Sequence, residues 1–243
     1  MCLIVFAYRQ NQEYQLILLA NRDEFYDRPT EAAHFWEDAP QVFAGRDLVA
    51  GGTWLGITRT GRFAALTNFR QPGGPAGSVS RGELVGRFLK EDVPVPDYLA
   101  EVRQRSADYS GFNLLVGDFS REEPVLAHYS NRGSDDFRIL PAGIYGLSNH
   151  LLDTPWPKVE KAKKGLAEIL TEKKEPERES FFELLRDKIP APDRDLPDTG
   201  VGIDRERLLS PIFIETPVYG TRCSSLVLWN KENGLSLEER VYF

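Results

Sequence analysis

Two short apolar runs at the start of the chain restrict its fold most. They are residues 2–8 (Cys-Leu-Ile-Val-Phe-Ala-Tyr) and residues 14–20 (Tyr-Gln-Leu-Ile-Leu-Leu-Ala). Each has strand length, and the polar, turn-like residues 10–13 lie between them. Paired as a hairpin, they bring the chain start close to the cluster Asn21-Arg22-Asp23-Glu24 that follows the second run. A thiol near a guanidinium and two carboxylates has the makings of a site. The alternative is that Cys2 pads a buried strand, since free cysteine is among the most buried residue types.

Position two adds a chemical reason to look further. An initiator methionine is commonly trimmed when the next side chain is small, so removal of Met1 is expected. Cys2 would then carry a free α-amine, whose ordinary pKa is about 7.7–8.0. Such an amine can act as base for its own residue's nucleophile, and a nearby Arg favours the thiolate.

Bulk properties exclude several classes. The 243 residues suit one sizeable domain, and 41% hydrophobic residues supply a core. A net charge of −7 argues against a nucleic-acid partner. Cysteines at 2 and 223 make no disulfide framework, which points to a reducing, cytoplasmic setting. No apolar run approaches the roughly 20 residues of a membrane span, and the start has no signal-peptide pattern. His34, His128 and His150 show no metal-ligand spacing, so no metal site is expected. Oligomeric state is not legible.

Along the chain, residues 25–53 read as irregular, with a short strand at 42–44. Gly51-Gly52 leads into a hairpin whose strands, 53–58 and 62–68, flank Thr60-Gly61. Paired glycines there read equally as a close backbone approach or as a mere flexible turn. Residues 71–80 are loop. Ser80 with Glu83 reads as a capping box opening a helix, and a second helix covers 97–106. Strands are expected at 112–117, 125–129, 137–140 and 144–147. A helix spans 157–172, with its lysines and glutamates on a solvated face, and another spans 178–188. Residues 190–203 read as a long loop, a lid or a linker. Strands at 223–229 and 235–242 end the chain. The class is α+β, one domain over 1–243, with helix pairs covering two sheets.

Several of these stretches together resemble a known family. Cys2, Asn21-Arg22-Asp23-Glu24, Gly51-Gly52-Thr53-Trp54-Leu55-Gly56 and Tyr219-Gly220-Thr221-Arg222 are similar to motifs of the NRDE family, also called the Transport and Golgi organisation 2 family. The resemblance runs over nearly the whole chain. It implies a four-layer αββα sandwich of the N-terminal-nucleophile hydrolase type. A more distant likeness is to the choloylglycine hydrolase and penicillin V acylase group, whose nucleophilic Cys matches Cys2. By that likeness Arg22 and Asp23 take the activating roles, with Glu24 competing for the acidic one. Asn68 and Asn149 match the oxyanion-hole pair, and Arg222 matches a late Arg near a small hydroxyl run. Asn21, Glu24, Trp54 and Arg222 become candidate substrate contacts.

The roles make physical sense. Asn amides donate to an oxygen that gains charge in a tetrahedral intermediate, and an Arg can pin a carboxylate or phosphate. Each residue also has a plain structural reading. Arg22 with Asp23 or Glu24 can be a buried ion pair, and Asn68 and Asn149 can be turn residues. Cys223 reads as core, because strand alternation turns it away from Arg222.

Two functions follow. One is a hydrolase that attacks an amide or thioester of a small acyl compound through Cys2 and needs no cofactor. The other, which the family resemblance implies, is a non-catalytic carrier of haem or of acyl-CoA and other lipids. In that case Cys2 or a histidine would be the axial ligand of haem.

Overall fold

The computed structural model describes residues 2–172 and 176–243. Met1, whose removal the sequence leads one to expect, lies outside them. The strands are β1 (Cys2–Tyr8), β2 (Leu16–Phe25), β3 (Thr30–Trp36), β4 (Ala39–Asp47), β5 (Leu55–Thr58) and β6 (Arg62–Asn68). Helices α1 (Gly82–Lys90) and α2 (Val95–Gln104) follow, then β7 (Phe112–Asp118), β8 (Val125–Ser130), β9 (Arg138–Ile139) and β10 (Gly143–Leu147). The chain continues with α3 (Pro157–Glu172), α4 (Arg178–Leu185), α5 (Ile203–Leu208), β11 (Tyr219–Asn230) and β12 (Gly234–Val241).

Two antiparallel sheets stack face to face. One has the order β10-β1-β2-β11-β12 and the other runs β3 through β9 in sequence order. Between them lies a core of Ile4, Phe6, Leu16 and Leu18 against Leu55, Ile57, Phe63 and Leu115. On the outer face of the first sheet, Leu3, Val5, Ile17 and Leu19 pack under Val159, Ala162 and Leu166 of α3 and Phe181 and Phe182 of α4. On the outer face of the second, Ala64, Leu66, Leu114 and Val116 meet Leu84, Val85 and Phe88 of α1 and Leu99 of α2. The layers are therefore α, β, β, α, as expected. Strands covered on both faces read as unbroken apolar runs, which is why β1 and the first half of β2 stood out. Among the described residues no helix is long and apolar enough to cross a membrane.

Several local expectations are corrected. Residues 25–53 hold the hairpin β3–β4, whose register shifts at Glu31/His34 and Phe35/Trp36 blur its two-residue period. Strand β2 runs on through the polar cluster to Phe25, because β11 pairs with it as far as Tyr219↔Phe25. Ser80 gives α1 no side-chain cap: Arg81 is the N-cap residue, and the Glu83 amide donates to the Ser80 carbonyl. The loop expected at 190–203 holds as far as residue 202 apart from a 3-10 turn at Asp193–Asp195, and its last residue opens α5. Lys158 is buried in the first turn of α3 rather than solvated.

The paired glycines do permit a close approach. A Cβ at Gly52 would lie 2.5 Å from the Gly82 carbonyl carbon, and the Thr53 amide donates to the Gly82 oxygen at 3.2 Å. The 51–54 loop thus rests directly on the start of α1. Gly52→Ala is expected to destabilise the fold by about 1–3 kcal/mol, the usual cost of overpacking. Urea unfolding checks it, and an unchanged midpoint would show that the loop gives way freely.

Candidate active site

A solvent-open hollow of about 160 Å³ lies at one end of the sandwich. The start of β1, the end of β2, the end of β6, the loop before β5 and the first turn of α1 converge on it. Of the residues singled out by sequence, Cys2, Arg22, Asp23, Glu24, Trp54 and Asn68 line it. Asn21, Asn149 and Arg222 do not.

The hairpin β1–β2 sets the centre. Cys2 pairs with Arg22, and Arg22 pairs in turn with Cys223 on β11, so the three stand side by side across the sheet. Cys2 is partly exposed. Desolvation raises its thiol pKa, the Asp23 carboxylate adds to the rise, and Arg22 and the Asp23 amide offset part of it. The expected depression of the thiol by Arg22 is thus outweighed by burial in this structure.

Arg22 does not pair with Asp23 or Glu24. Adjacent strand residues face opposite sides, so its guanidinium turns to the inter-sheet side. There it stacks on Trp54, 4.3 Å from the ring centroid, and lies 3.9 Å from an Asp47 oxygen. Asp47 is held by Arg28 at 2.6 Å and by the amides of Val49 and Ala50. Trp54 fits because residue 45 is glycine, where a Cβ would strike the indole.

Asp23 is the carboxylate whose charge reaches Cys2. Thr221 donates to its Oδ1 at 2.7 Å, and the Tyr219 hydroxyl donates to its carbonyl at 3.1 Å. Burial raises the Asp23 carboxyl, and the Lys158 ammonium works most strongly against that rise. Lys158 itself is pulled down to about 8 by burial, and Asp23 partly restores it. Its ammonium donates to the Leu209 carbonyl at 3.0 Å. Glu24 accepts from its own following amide, that of Phe25.

Asn68 ends β6 on the cavity wall, and its side-chain amide makes no hydrogen bond among the described residues, while its carbonyl is taken. Asn149 is fully buried and donates to that Asn68 carbonyl at 2.9 Å. Beside it, Ser148 donates to the Cys2 carbonyl at 3.1 Å. Asn149 therefore braces Asn68 in this structure. Asn21 turns to the helix layer, donating to the carbonyls of Leu185 and Ile212 and accepting from Ser224. Arg222 donates to the carbonyls of Phe25 and Arg28 at 2.9 and 2.8 Å, so its guanidinium holds the turn after β2.

The reason given for Cys223 fails, although its burial is as expected. Thr221 pairs with Asp23 and Cys223 with Arg22, which leaves Arg222 as the extra residue of a bulge. Arg222 and Cys223 consequently line one small hollow together. Cys223 is buried, and burial with Glu239 beside it holds its thiol well above the ordinary range.

Sequence reasoning missed Arg28, Asp47, Ser80 and Arg81 on the cavity wall, and Lys158 behind Asp23. Lys158 had a signal: it stands four and eight residues before Ala162 and Leu166, on the apolar stripe of α3. None of His34, His128 and His150 lines the cavity.

The profile of the family described as Transport and Golgi organisation 2 matches residues 1–243. The Transport and Golgi organization protein 2 homolog of Bos taurus is 37% identical over 255 residues, covering 99% of this chain and 92% of that protein. The Homo sapiens homolog is 36% identical over the same shares, and the Drosophila melanogaster protein is 31% identical, covering 98% of this chain and 91% of its own length. Among solved structures, a conjugated bile acid hydrolase from Clostridium perfringens superposes with a TM-score of 0.52 at 8% identity, covering 100% of this chain and 97% of that one. That likeness is one of fold, the αββα sandwich of N-terminal-nucleophile hydrolases. By its full-length profile match and by its relatives, the chain belongs to the Transport and Golgi organisation 2 family.

Proposed function

We propose that this protein is a cysteine-nucleophile hydrolase acting on an amide or thioester of a small acyl compound. The observation that carries the reading is Cys2 on the cavity wall, paired with Arg22, backed by Asp23 and sharing the hollow with the side-chain amide of Asn68. With Met1 removed, the α-amine of Cys2 takes the thiol proton as sulfur attacks the carbonyl. Asp23 orients the resulting ammonium, and Asn68 donates to the oxyanion. The ammonium returns the proton to the leaving amine or thiol. Water, activated by the same amine, then cleaves the acyl-cysteine.

The test is intact mass of the protein after exposure to a panel of N-acyl amides and thioesters, with product release followed in parallel. An acyl adduct mapped to Cys2 with released product supports the reading. Asn68→Ala is expected to lower kcat by about 10²–10³ with little change in ligand affinity, as for loss of one oxyanion donor. No adduct and no product across the panel, with saturable haem or acyl-CoA binding, would instead favour the carrier function on the same fold.

A further inference from the structure

Three arginines and three carboxylates (Asp23, Glu24 and Asp47) line the cavity, and the acids do not take up all of the guanidinium N–H groups. Arg28 is committed: it donates to both oxygens of Asp47, at 2.6 and 3.2 Å. Arg22 is not. It is only 6% exposed and faces the hollow, yet its contacts are the Trp54 ring and an Asp47 oxygen 3.9 Å away, too far for a hydrogen bond. Arg81 spends one nitrogen on the Gly111 carbonyl at 3.0 Å, and the rest of its guanidinium makes no hydrogen bond among the described residues. Ser80, Arg81 and Gly82 all line the hollow, so α1, nine residues long, opens its N-terminus onto it. The amides of Glu83 and Leu84 already donate to the carbonyls of Ser80 and Arg81, so the helix start contributes chiefly the partial positive charge of its dipole.

Two guanidiniums that keep open N–H groups, the buried one of Arg22 and the half-buried one of Arg81, together with a helix start around one hollow match an oxyanion with several lone pairs. Asp47 cannot fill that need, since Arg28 and the amides of Val49 and Ala50 already occupy it.

Resting on the reading of Cys2 as nucleophile, we propose that Arg22, Arg81 and the first turn of α1 form an anion subsite that holds a carboxylate or phosphate of the substrate beside the carbonyl Cys2 attacks. Arg81 sets specificity there; the chemistry stays with Cys2. Substrates with a neutral group at that place forgo those charge-assisted hydrogen bonds and are disfavoured.

Iodoacetate and iodoacetamide test this directly, because they are alike in size and differ by a carboxylate against a neutral amide. Peptide mass mapping of the full chain gives the alkylation rate at Cys2 for each. The iodoacetate-to-iodoacetamide ratio at Cys2 is expected to exceed that of free cysteine by about tenfold, the scale of one charge-assisted hydrogen bond, and the iodoacetate rate should saturate. Arg81→Gln should lower the iodoacetate rate far more than the iodoacetamide rate, so that the ratio falls to that of free cysteine, whereas Arg81→Lys keeps most of the preference. Inorganic phosphate and acetate, added as competitors, should slow iodoacetate, and the stronger of the two names the oxyanion. If Arg81→Gln fails to fold by circular dichroism, Arg81→Lys and the competition on the unaltered protein decide. A ratio equal to that of free cysteine, a ratio untouched by Arg81→Gln, or no competition by either anion overturns the subsite. A Cys2 inert to iodoacetamide overturns the nucleophile reading on which the subsite rests, so the two failures are told apart.

Discussion

Cys2→Ala is expected to abolish both the acyl adduct and turnover, by at least about three orders of magnitude, as removal of a nucleophile does. The fold should survive. Cys2 is the first residue of β1, its side chain is partly exposed to the cavity, and the pairing of β1 with β2 and β10 is made by the backbone. Ligand affinity should also persist, since Arg22, Trp54, Asn68 and Arg81 remain on the wall. Cys2→Ser is expected to retain slight activity, because a hydroxyl is the poorer nucleophile at neutral pH. The measurements are adduct mass, product formation and ligand titration on the three proteins side by side. Turnover that survives Cys2→Ala would sink the mechanism.

Glu206→Ala should cost about 3–5 kcal/mol of stability, the range for breaking a buried ion pair from one side. Arg70 donates to Glu206 Oε2 at 2.6 Å, and both side chains are buried. Burial already lowers the Arg70 pKa, and the Glu206 charge is the main opposing force. Removing that charge leaves the guanidinium in place over Trp156, 4.7 Å from its ring centroid. Glu206 also accepts from the amide and hydroxyl of Thr199, so α5 and the preceding loop loosen as well. The effect should reach the site: the Arg70 amide donates to the Asn149 carbonyl, and Asn149 in turn holds Asn68. Urea unfolding read beside kcat checks both parts. Glu206→Gln, which keeps an acceptor, is expected to lose less. A loss below about 1 kcal/mol for Glu206→Ala would mean that Arg70 finds solvent or another acceptor, against the buried-pair account.

Much of the cavity was legible because its parts are local. Cys2, Arg22, Asp23 and Glu24 lie on two strands joined by one hairpin, so reading the strands places the cluster. Trp54 and Asn68 come from the next readable hairpin, β5–β6. The cationic wall was not legible. Arg28 and Asp47 belong to the β3–β4 hairpin and its flanks, where register shifts hide the strand period. Arg81 reaches the cavity only because Gly52 lets the loop before β5 rest on α1. Nothing in the local sequence of Asn149 or Arg222 says that its donors go to backbone carbonyls. That follows from which chain segments happen to lie within about 3 Å, the reach of a hydrogen bond.

Sequence alone determined the two doubly covered strands of the first hairpin, the alternation of strand-rich stretches with helix pairs, and the pairing of a thiol with an acidic-basic cluster. Those depend on hydrophobic period and short-range pairing, which are written along the chain. Tertiary structure decided the rest: which acid stands behind Cys2, the turning of Arg222 by a single-residue bulge, the burial of Lys158, and the gathering of Arg22, Arg28 and Arg81 around the hollow. The physical reason is that charge and hydrogen-bond partnership are properties of distance in space, and segments far apart in sequence set that distance only when the four layers close.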